Sequence, residues 1–348
     1  MAIETIGRSF YLMFASENER DSWFDLIPQL KEGRQGDTDS VSSNESGSTT
    51  APMVEIGNPA DEFMHNSSMW DCKHRRILNC RQFSLCCQTS GDALQLVENA
   101  LVRGFELAED SFDDSGRRVA FLDSVAALKQ ANVHNLAEDS RLVFFLNLYH
   151  VMIIHAFLVL GPPDSALQWI SYFKNISYQV SDEIFSITEL EHCIIRAQMS
   201  YPSQFFSRFV IPKSQYQMAL TQADFRINFA LNCGSISNPS TIFIYDVDKL
   251  DRQLDAASKL YLRCVTATRR SARDVFIHIP RVCQWFAEDF GSPEALMKKI
   301  APYLPAEGRE MLASCWLSQQ KRFDMSCLTI RHMSFIFECR PLSLEKTR

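Results

Sequence analysis

A cysteine, a histidine and two carboxylates are the residues of this chain best suited to covalent chemistry. Cys233 lies in the run N-C-G-S-I-S at 232–237, where backbone amides near a glycine turn can converge on an anion. A thiol becomes a nucleophile when a base or a cation lowers its pKa. The predicted partners of the thiol are His192 as general base and Glu191 or Asp224 as the carboxylate that orients the imidazole.

The same residue types also have a structural interpretation. Free cysteines are most often small buried hydrophobes, and a glutamate such as Glu191 can form a buried ion pair with Arg196. On an α-helix, Arg196 would share a face with His192, because positions i and i+4 meet. Two alternatives therefore stay open: catalysis by Cys233 with His192 or His155 as its base, and a polar network that holds the core together.

The elements that position these residues are predicted to be mainly helices. Val97, Leu101 and Phe105 share one helical face, and the apolar run 141–160 predicts a core helix closed by Gly161. Helical patterns also occur in a segment with Phe121, Val125 and Leu128, and near 165–174, 248–263, 281–290 and 306–320.

Two predicted elements carry the candidate residues directly. Ser186 and Glu189 have the spacing of a capping box, which begins a helix that would carry Glu191 and His192. The stretch 225–232 alternates apolar and polar residues, which predicts a half-buried strand ending at the thiol. A hairpin is predicted over 176–186, with short strands near 241–245, 274–279 and 328–337.

The apolar run could also be interpreted as a membrane span. Residues 142–160 contain no Asp, Glu, Lys or Arg, and their length suffices to cross a bilayer. However, Asn147, His150 and His155 lie within the run, and each is unfavourable in hydrocarbon without a polar partner. A core helix is therefore the favoured interpretation.

Composition limits the class of protein. The chain has 35 Lys and Arg against 42 Asp and Glu, a net charge of −7, which argues against general nucleic-acid binding because that needs a cationic face. Hydrophobic residues make up 46% of the sequence, whereas Gly and Pro number only 12 and 13. These values predict a helix-rich α+β fold, with a helical body around a small, mostly antiparallel sheet.

Eleven cysteines are present without a repeated short spacing. Residues 1–30 contain no apolar signal segment, so we expect a cytoplasmic protein with reduced thiols. Cys72, His74, Cys80, Cys86 and Cys87 lack the paired spacing of a zinc site, and the chain has no glycine-rich phosphate loop. Neither a metal nor a cofactor is expected.

The chain divides into three predicted zones. Residues 1–31 include G-R-S-F-Y-L-M-F-A-S-E-N-E-R-D-S-W, which resembles the last strand and helix of a pleckstrin homology domain. No lipid-binding residue is carried over, so membrane contact is expected only if a complete domain of this type lies upstream. Residues 32–62, with five Ser, four Gly and seven acidic residues, predict a disordered linker. Residues 63–348 predict the folded body.

Four motifs resemble the domain-of-unknown-function family 547 (DUF547) and follow one another over residues 130–291. They are F-F-L-N-L-Y-H-V-M-I-I-H-A-F-L-V-L-G-P-P at 144–163, S-I-T-E-L-E-H-C-I-I-R at 186–196, D-F-R-I-N-F-A-L-N-C-G-S-I-S-N-P at 224–239 and I-P-R-V-C-Q-W-F-A-E-D-F-G at 279–291. The segment I-F-I-Y at 242–245 agrees as well. The resemblance implies no established activity. Members of the family pair this domain with pleckstrin homology, DEP or glutaredoxin modules, which implies a signalling or regulatory protein with protein partners.

The resemblance selects particular positions of this chain. Three of them depart from the pattern: His150 stands where many members have Asn, Asn238 where many have Cys, and Asn228 where others have His. A mechanism that needs the second cysteine or that histidine could not operate here. The positions that fit the pattern are Asn147, Tyr149, His155, Glu191, His192, Arg196, Asp224, Arg226, Cys233, Gly234, Ser235 and Pro239.

Two functions of different classes follow. The favoured one is an intracellular regulatory or scaffolding protein in which the polar residues form an internal network. The alternative is a thiol-dependent hydrolase or transferase with Cys233 as nucleophile and His192 as base. The residues predicted for binding or for the polar network are Asn147, Tyr149, His155, Arg196, Arg226 and Ser235.

Overall fold

The computed structural model contains two units, Met1–Asn58 and Pro59–Arg348. In the first unit, strands β1 (Ala2–Thr5) and β2 (Arg8–Tyr11) form an antiparallel hairpin. The helix that the resemblance implies within residues 1–31 and the linker predicted at 32–62 lie outside the described residues. The structure describes residues 2–5, 8–11, 75–80, 92–109, 115–163, 165–203, 211–269, 274–317, 319–340 and 342–345.

The second unit is built mainly from helices, which confirms the helix-rich α+β class. Short 3-10 turns at Leu128–Gln130, Val247–Lys249 and Ala301–Tyr303 adjoin several of them. The helices are α1 (Ala93–Glu109), α2 (Ser115–Ala127), α3 (Glu138–Leu160), α4 (Ala166–Asn175), α5 (Ile187–Glu189), a π-helix (Leu190–Ile195), α6 (Ile227–Ala230), α7 (Leu250–Leu262), α8 (Val282–Trp285), α9 (Ala287–Phe290), α10 (Pro293–Ile300) and α11 (Ala306–Ala313).

The strands of this unit form several small sheets, so the prediction of one mostly antiparallel sheet is wrong. Parallel pairs arise because β3, β12 and β11 each join a strand that is distant in sequence. The sheets are β3 (Arg76–Ile77), β4 (Ile176–Val180) and β5 (Glu183–Ser186); β7 (Thr266–Arg269), β8 (Val275–Ile279) and β11 (Leu328–His332); β6 (Thr241–Ile242) with β12 (Ser343–Leu344); and β9 (Trp316–Leu317) with β10 (Arg322–Phe323).

Helix α3 forms the centre of the first apolar core. Every residue from Val143 to Ala156 is buried, and α1, α2 and the β4–β5 hairpin contribute to the same core. By length and composition the helix could cross a membrane, yet 89% of its most apolar window is buried inside the protein. The helix ends where Gly161 adopts a φ of 72°, as the closing glycine predicted.

A second apolar core surrounds the β7–β8–β11 sheet. Ile277 of β8, Met297 of α10 and Phe290 of α9 are fully enclosed there. Helix α6 lies between the two cores, because Ile227 belongs to the first core and Phe229 to the second. The candidate site is therefore located where the two cores meet.

The strand predicted at 225–232 is wrong, because the middle of this segment forms the helical turn α6 (Ile227–Ala230). The amides of Ala230 and Leu231 donate to the carbonyls of Arg226 and Ile227, at 3.1 and 3.2 Å. The segment lies between two apolar cores, so residues on both of its sides are buried. Its alternation thus reflects two buried faces and not the pleat of a strand.

Several predicted boundaries also need correction. The helix predicted at 281–290 is divided at Phe286 into α8 and α9, and the one predicted at 306–320 ends at Ala313. The strands predicted at 241–245 and 328–337 extend only over β6 and β11. Helix α10, with a Ser292 cap and Pro293 at its first turn, has a start signal that the sequence prediction overlooked.

Candidate functional site

The π-helix places three of the candidate residues. The capping box is confirmed: the Glu189 amide donates to Ser186 Oγ at 3.2 Å, and the Ser186 amide donates to Glu189 Oε2 at 2.7 Å. The backbone then widens, so that the Arg196 amide donates to the Glu191 carbonyl at 2.9 Å, a spacing of five residues. The Arg196 side chain consequently pairs with Glu191, whereas an α-helix would have paired it with His192. Wide turns of this kind are frequent at functional sites.

The Arg196 guanidinium connects both cores. It donates to Asn228 Oδ1 at 2.8 Å and to Asp289 Oδ2 at 3.4 Å, and its Nε lies 3.4 Å from Glu191 Oε1. Its Cζ atom lies 3.8 Å from the centre of the Phe286 ring. Arg196 is only 3% exposed, so two carboxylates and one amide surround a buried cation.

The loop that carries Cys233 is fixed by two asparagines. Asn232 Oδ1 accepts a hydrogen bond from the Gly234 amide at 2.9 Å, and its Nδ2 donates to the Pro239 carbonyl at 2.7 Å. Asn238 Nδ2 donates a hydrogen bond to Cys233 Sγ at 3.3 Å. Position 238, which the resemblance compared with a second cysteine, therefore holds an amide that contacts the thiol.

The surroundings of the Cys233 thiol favour its protonated form. Burial raises the pKa of Cys233 to about 12, and the nearby carboxylate of Glu191 contributes in the same direction. A hydrogen bond from the Ser235 backbone opposes this shift without reversing it. Cys233 is thus a neutral thiol near pH 7.

His192 lies beside Glu191, with 3.9 Å between its Nε2 and Glu191 Oε1. Burial and the charge of Arg196 lower the pKa of His192, while Glu191 opposes them. Within the described part of the chain, no hydrogen bond joins His192 to Cys233. The structure therefore brings the predicted base and the predicted orienting acid together, and the role of His192 toward the thiol stays a prediction.

Two tyrosines complete the cluster. The Tyr149 hydroxyl donates to Glu191 Oε2 at 3.4 Å. Burial is the main cause of the raised pKa of Tyr149, and the negative charge of Glu191 is the second cause. The Tyr261 hydroxyl donates to Asn238 Oδ1 at 3.0 Å. Tyr261 and Asp289 were not selected from the sequence, although Asp289 lies inside the quoted motif at 279–291.

Asp224 and Arg226 belong to a separate, more exposed cluster. Arg226 contacts Asp224, Asp251 and Asp255 at 2.7, 2.7 and 2.8 Å. The hydrogen bonds that Arg226 donates to the Asp224 carboxylate are the main cause of its raised pKa. The contacts recorded in the described ranges do not link Asp224 to the Cys233 thiol. Glu191 is therefore the candidate carboxylate that the structure places near that thiol.

The remaining network candidates hold loops in place. Asn147 donates to the Tyr245 carbonyl at 2.9 Å and accepts from the Tyr245 amide at 2.8 Å. His155 Nδ1 lies 2.5 Å from the Tyr178 hydroxyl. Ser235 Oγ donates to the Ile336 carbonyl and accepts from the Ser237 amide. Asn147 and Ser235 thus satisfy backbone groups and His155 pairs with a side chain, which are the usual uses of polar residues in a core.

Gly234 is the residue whose replacement tests the shape of the Cys233 loop. Its φ is 80°, and a Cβ atom there would lie 2.6 Å from the Phe157 ring. We expect Gly234→Ala to lower the free energy of unfolding by about 1–3 kcal/mol, the range for a strained left-handed residue. Urea denaturation of the full chain measures this value.

Gly308 of α11 provides the matched control. It lies inside a helix, its φ is not in the left-handed region, and the nearest atom to an added Cβ is 3.7 Å away. Gly308→Ala should stabilise the protein by about 0.5–1 kcal/mol. Equal effects of the two substitutions would contradict the conformational role of Gly234.

Among the residues that the structure describes, no group of three or more His, Cys, Asp or Glu residues is arranged to hold a metal ion. Four members of the cysteine-rich run considered above, Cys72, His74, Cys86 and Cys87, lie outside the described residues. Cys80 is described and is an exposed thiol.

Comparison with known proteins gives one match. Residues 133–262 match the family model described as "Protein of unknown function, DUF547", which includes the motifs at 144–163, 186–196 and 224–239. The fourth motif, at 279–291, lies beyond the matched range. No curated protein and no solved structure matches the chain.

Proposed function

We propose that this protein is an intracellular regulatory or scaffolding protein whose DUF547-matching region binds a protein partner and does not turn over a substrate. The polar cluster at the meeting of the two cores would then be a structural network. It would hold the π-helix, the Cys233 loop and α9 in one arrangement.

The state of the thiol carries this proposal. Its hydrogen-bond donor is the neutral amide of Asn238, and the nearby charge is the carboxylate of Glu191. Arg196, which like the thiol acts electrostatically on Tyr149, is already paired with Glu191, Asn228 and Asp289. A thiol in these surroundings lacks the electrostatic support that cysteine nucleophiles need.

Two further features agree with a regulatory role. Residues 1–31 resemble the end of a pleckstrin homology domain. This resemblance agrees with the pairing of the two domain types that the DUF547 family implies. A cytoplasmic location is part of this proposal. A protein partner, and no nucleic acid, is the interaction that composition and resemblance favour.

The reactivity of Cys233 distinguishes this proposal from a thiol-dependent hydrolase or transferase. We expect the alkylation rate of Cys233, followed by mass spectrometry of its peptide, to have a midpoint well above the free-thiol value of roughly pH 8.5. Glutathione in the same tube supplies the free-thiol reference, and Cys233→Ser identifies the peptide signal. A midpoint clearly below that reference would indicate an activated thiolate and would overturn the proposal.

Partner capture supplies the second test. The tagged full chain is cross-linked in cells, purified and compared with the Cys233→Ser and His192→Gln variants. We expect one stoichiometric protein to be retained by all three chains, since neither side chain would be needed for binding. A wild-type chain that retains no stoichiometric protein would contradict the proposed function.

A further inference from the structure

An open trough lies between the C-terminal part of α7 and the start of α11. Its volume is about 620 Å³, within the range of 300–1,000 Å³ typical of ligand sites. Its floor is apolar, formed by Phe243, Leu260 and Leu304, and Pro302 and Pro305 line its edge. The trough is distinct from the Cys233 cluster, whose residues do not line it.

Three cations surround this apolar floor. Lys259 and Arg263 project from or just beyond α7, and Arg309 comes from α11. All three are exposed, and in the described ranges none of them forms a salt bridge. The lining includes one carboxylate, Glu345, so the trough has an excess of positive charge.

This charge contrasts with the chain as a whole, which carries a net charge of −7. Some basic residues of the described body lie among carboxylates instead: Arg226 contacts three aspartates, and Arg196 contacts two carboxylates. Three exposed cations around an apolar floor, against one carboxylate in the lining, favour a ligand that is both acidic and hydrophobic.

We propose that this trough binds an acidic peptide segment of a partner protein. A large apolar side chain of the peptide would cover Leu260 and Leu304, and its carboxylates would pair with Arg263 and Arg309. The inference rests on the proposed function, for which it supplies a binding surface and the chemistry of the partner. An elongated peptide suits a trough that is open to solvent, because the chain can continue beyond both ends.

Fluorescence anisotropy of a labelled heptapeptide tests the proposal with the full chain. The probe has Leu and Phe set among acidic residues, and its control has lysine at every acidic position. We expect saturable binding of the acidic probe alone, weakened by added salt because exposed charge pairs are screened. Equal binding of both peptides, or of neither, would overturn the proposal.

Paired substitutions locate the binding. Arg263→Glu with Arg309→Glu should weaken binding of the acidic probe by about tenfold or more, whereas Lys213→Glu with Arg252→Glu, which changes the net charge equally, should alter it by less than about twofold. Ala306→Trp would fill the trough without changing charge, and it should weaken binding as well. Equal losses for the two charge pairs, or an unaffected Ala306→Trp chain, would contradict a specific site. Circular dichroism and thermal melting confirm that each variant is folded.

Acidic lipid is the other anionic surface to be distinguished. Vesicles rich in phosphatidylserine are sedimented with the full chain and with the Arg263→Glu, Arg309→Glu variant. Sedimentation that depends on these arginines, without binding of the acidic peptide, would overturn the peptide proposal. If instead the cross-linked partner is still retained by this variant, the trough proposal fails while the proposed function stands.

Discussion

Acidification should destabilise the folded body steeply below about pH 6.5, by roughly 1.4 kcal/mol per pH unit for each of two buried histidines. Burial lowers the pKa of His150 and of His155 to about 3. Both side chains are essentially inaccessible to solvent. In the unfolded chain, each imidazole takes up a proton near pH 6.5, so the stability that their neutral forms provide is complete above that pH and is lost between pH 6.5 and 3.

Between pH 7 and 4.5 the expected loss is about 2.7 kcal/mol per histidine, or about 5 kcal/mol for the pair. Urea midpoints of the full chain at the two pH values give the measured loss. His150→Asn and His155→Gln should each reduce the difference by about half. His134→Gln, which removes an imidazole whose side chain is 34% exposed, serves as the control for the loss of a histidine outside the core. If neither core variant reduces the difference, carboxylate protonation alone accounts for acid unfolding.

Removing the charge of Arg196 should have the second large effect. Arg196→Met would leave Glu191 and Asp289 in the interior without their cation, and Asn228 would lose its donor. Breaking one side of a buried ion pair lowers the free energy of unfolding by about 3–5 kcal/mol. Chemical denaturation at pH 7 measures this loss.

Arg226→Met is the matched control for this substitution. Arg226 also contacts several carboxylates, yet Asp251 and Asp255 are 81% and 38% exposed and can be solvated by water. The expected loss is about 1 kcal/mol or less. Adding Glu191→Gln and Asp289→Asn to Arg196→Met should recover part of the lost stability. A loss for Arg226→Met as large as that for Arg196→Met would show that burial is not the deciding factor.

Local sequence signals determined much of the helical framework. The uninterrupted apolar run gave α3, because a helix enclosed on all sides needs no polar face. Ser186 and Glu189 fixed the start of the helix that carries Glu191 and His192, because the two side chains and backbone amides bond reciprocally. The hairpin predicted over 176–186 is also present, as the antiparallel pair β4 and β5.

The composition of the candidate site was predicted only in part. Cys233, Glu191, Tyr149 and Arg196 were selected from the sequence, and the structure places them in one cluster. Asp224 was also selected, but it pairs with Arg226 elsewhere. Asp224 is only nine positions from Cys233 along the chain, but proximity in sequence does not determine which way a side chain points.

The rest depended on tertiary structure. The alternation at 225–232 indicated a strand because the sequence cannot show that apolar cores lie on both sides of that segment. Only the widened π-turn brings Arg196 onto Glu191, and only the packing of α9 against it supplies Asp289. The sequence by itself determined the positions of the polar residues and the starts of several helices, since both are local properties. Tertiary contacts decided which charged side chains meet, because they join residues up to about a hundred positions apart, such as Arg196 and Asp289. These contacts therefore also decided whether Cys233 lies near a cation or near a carboxylate.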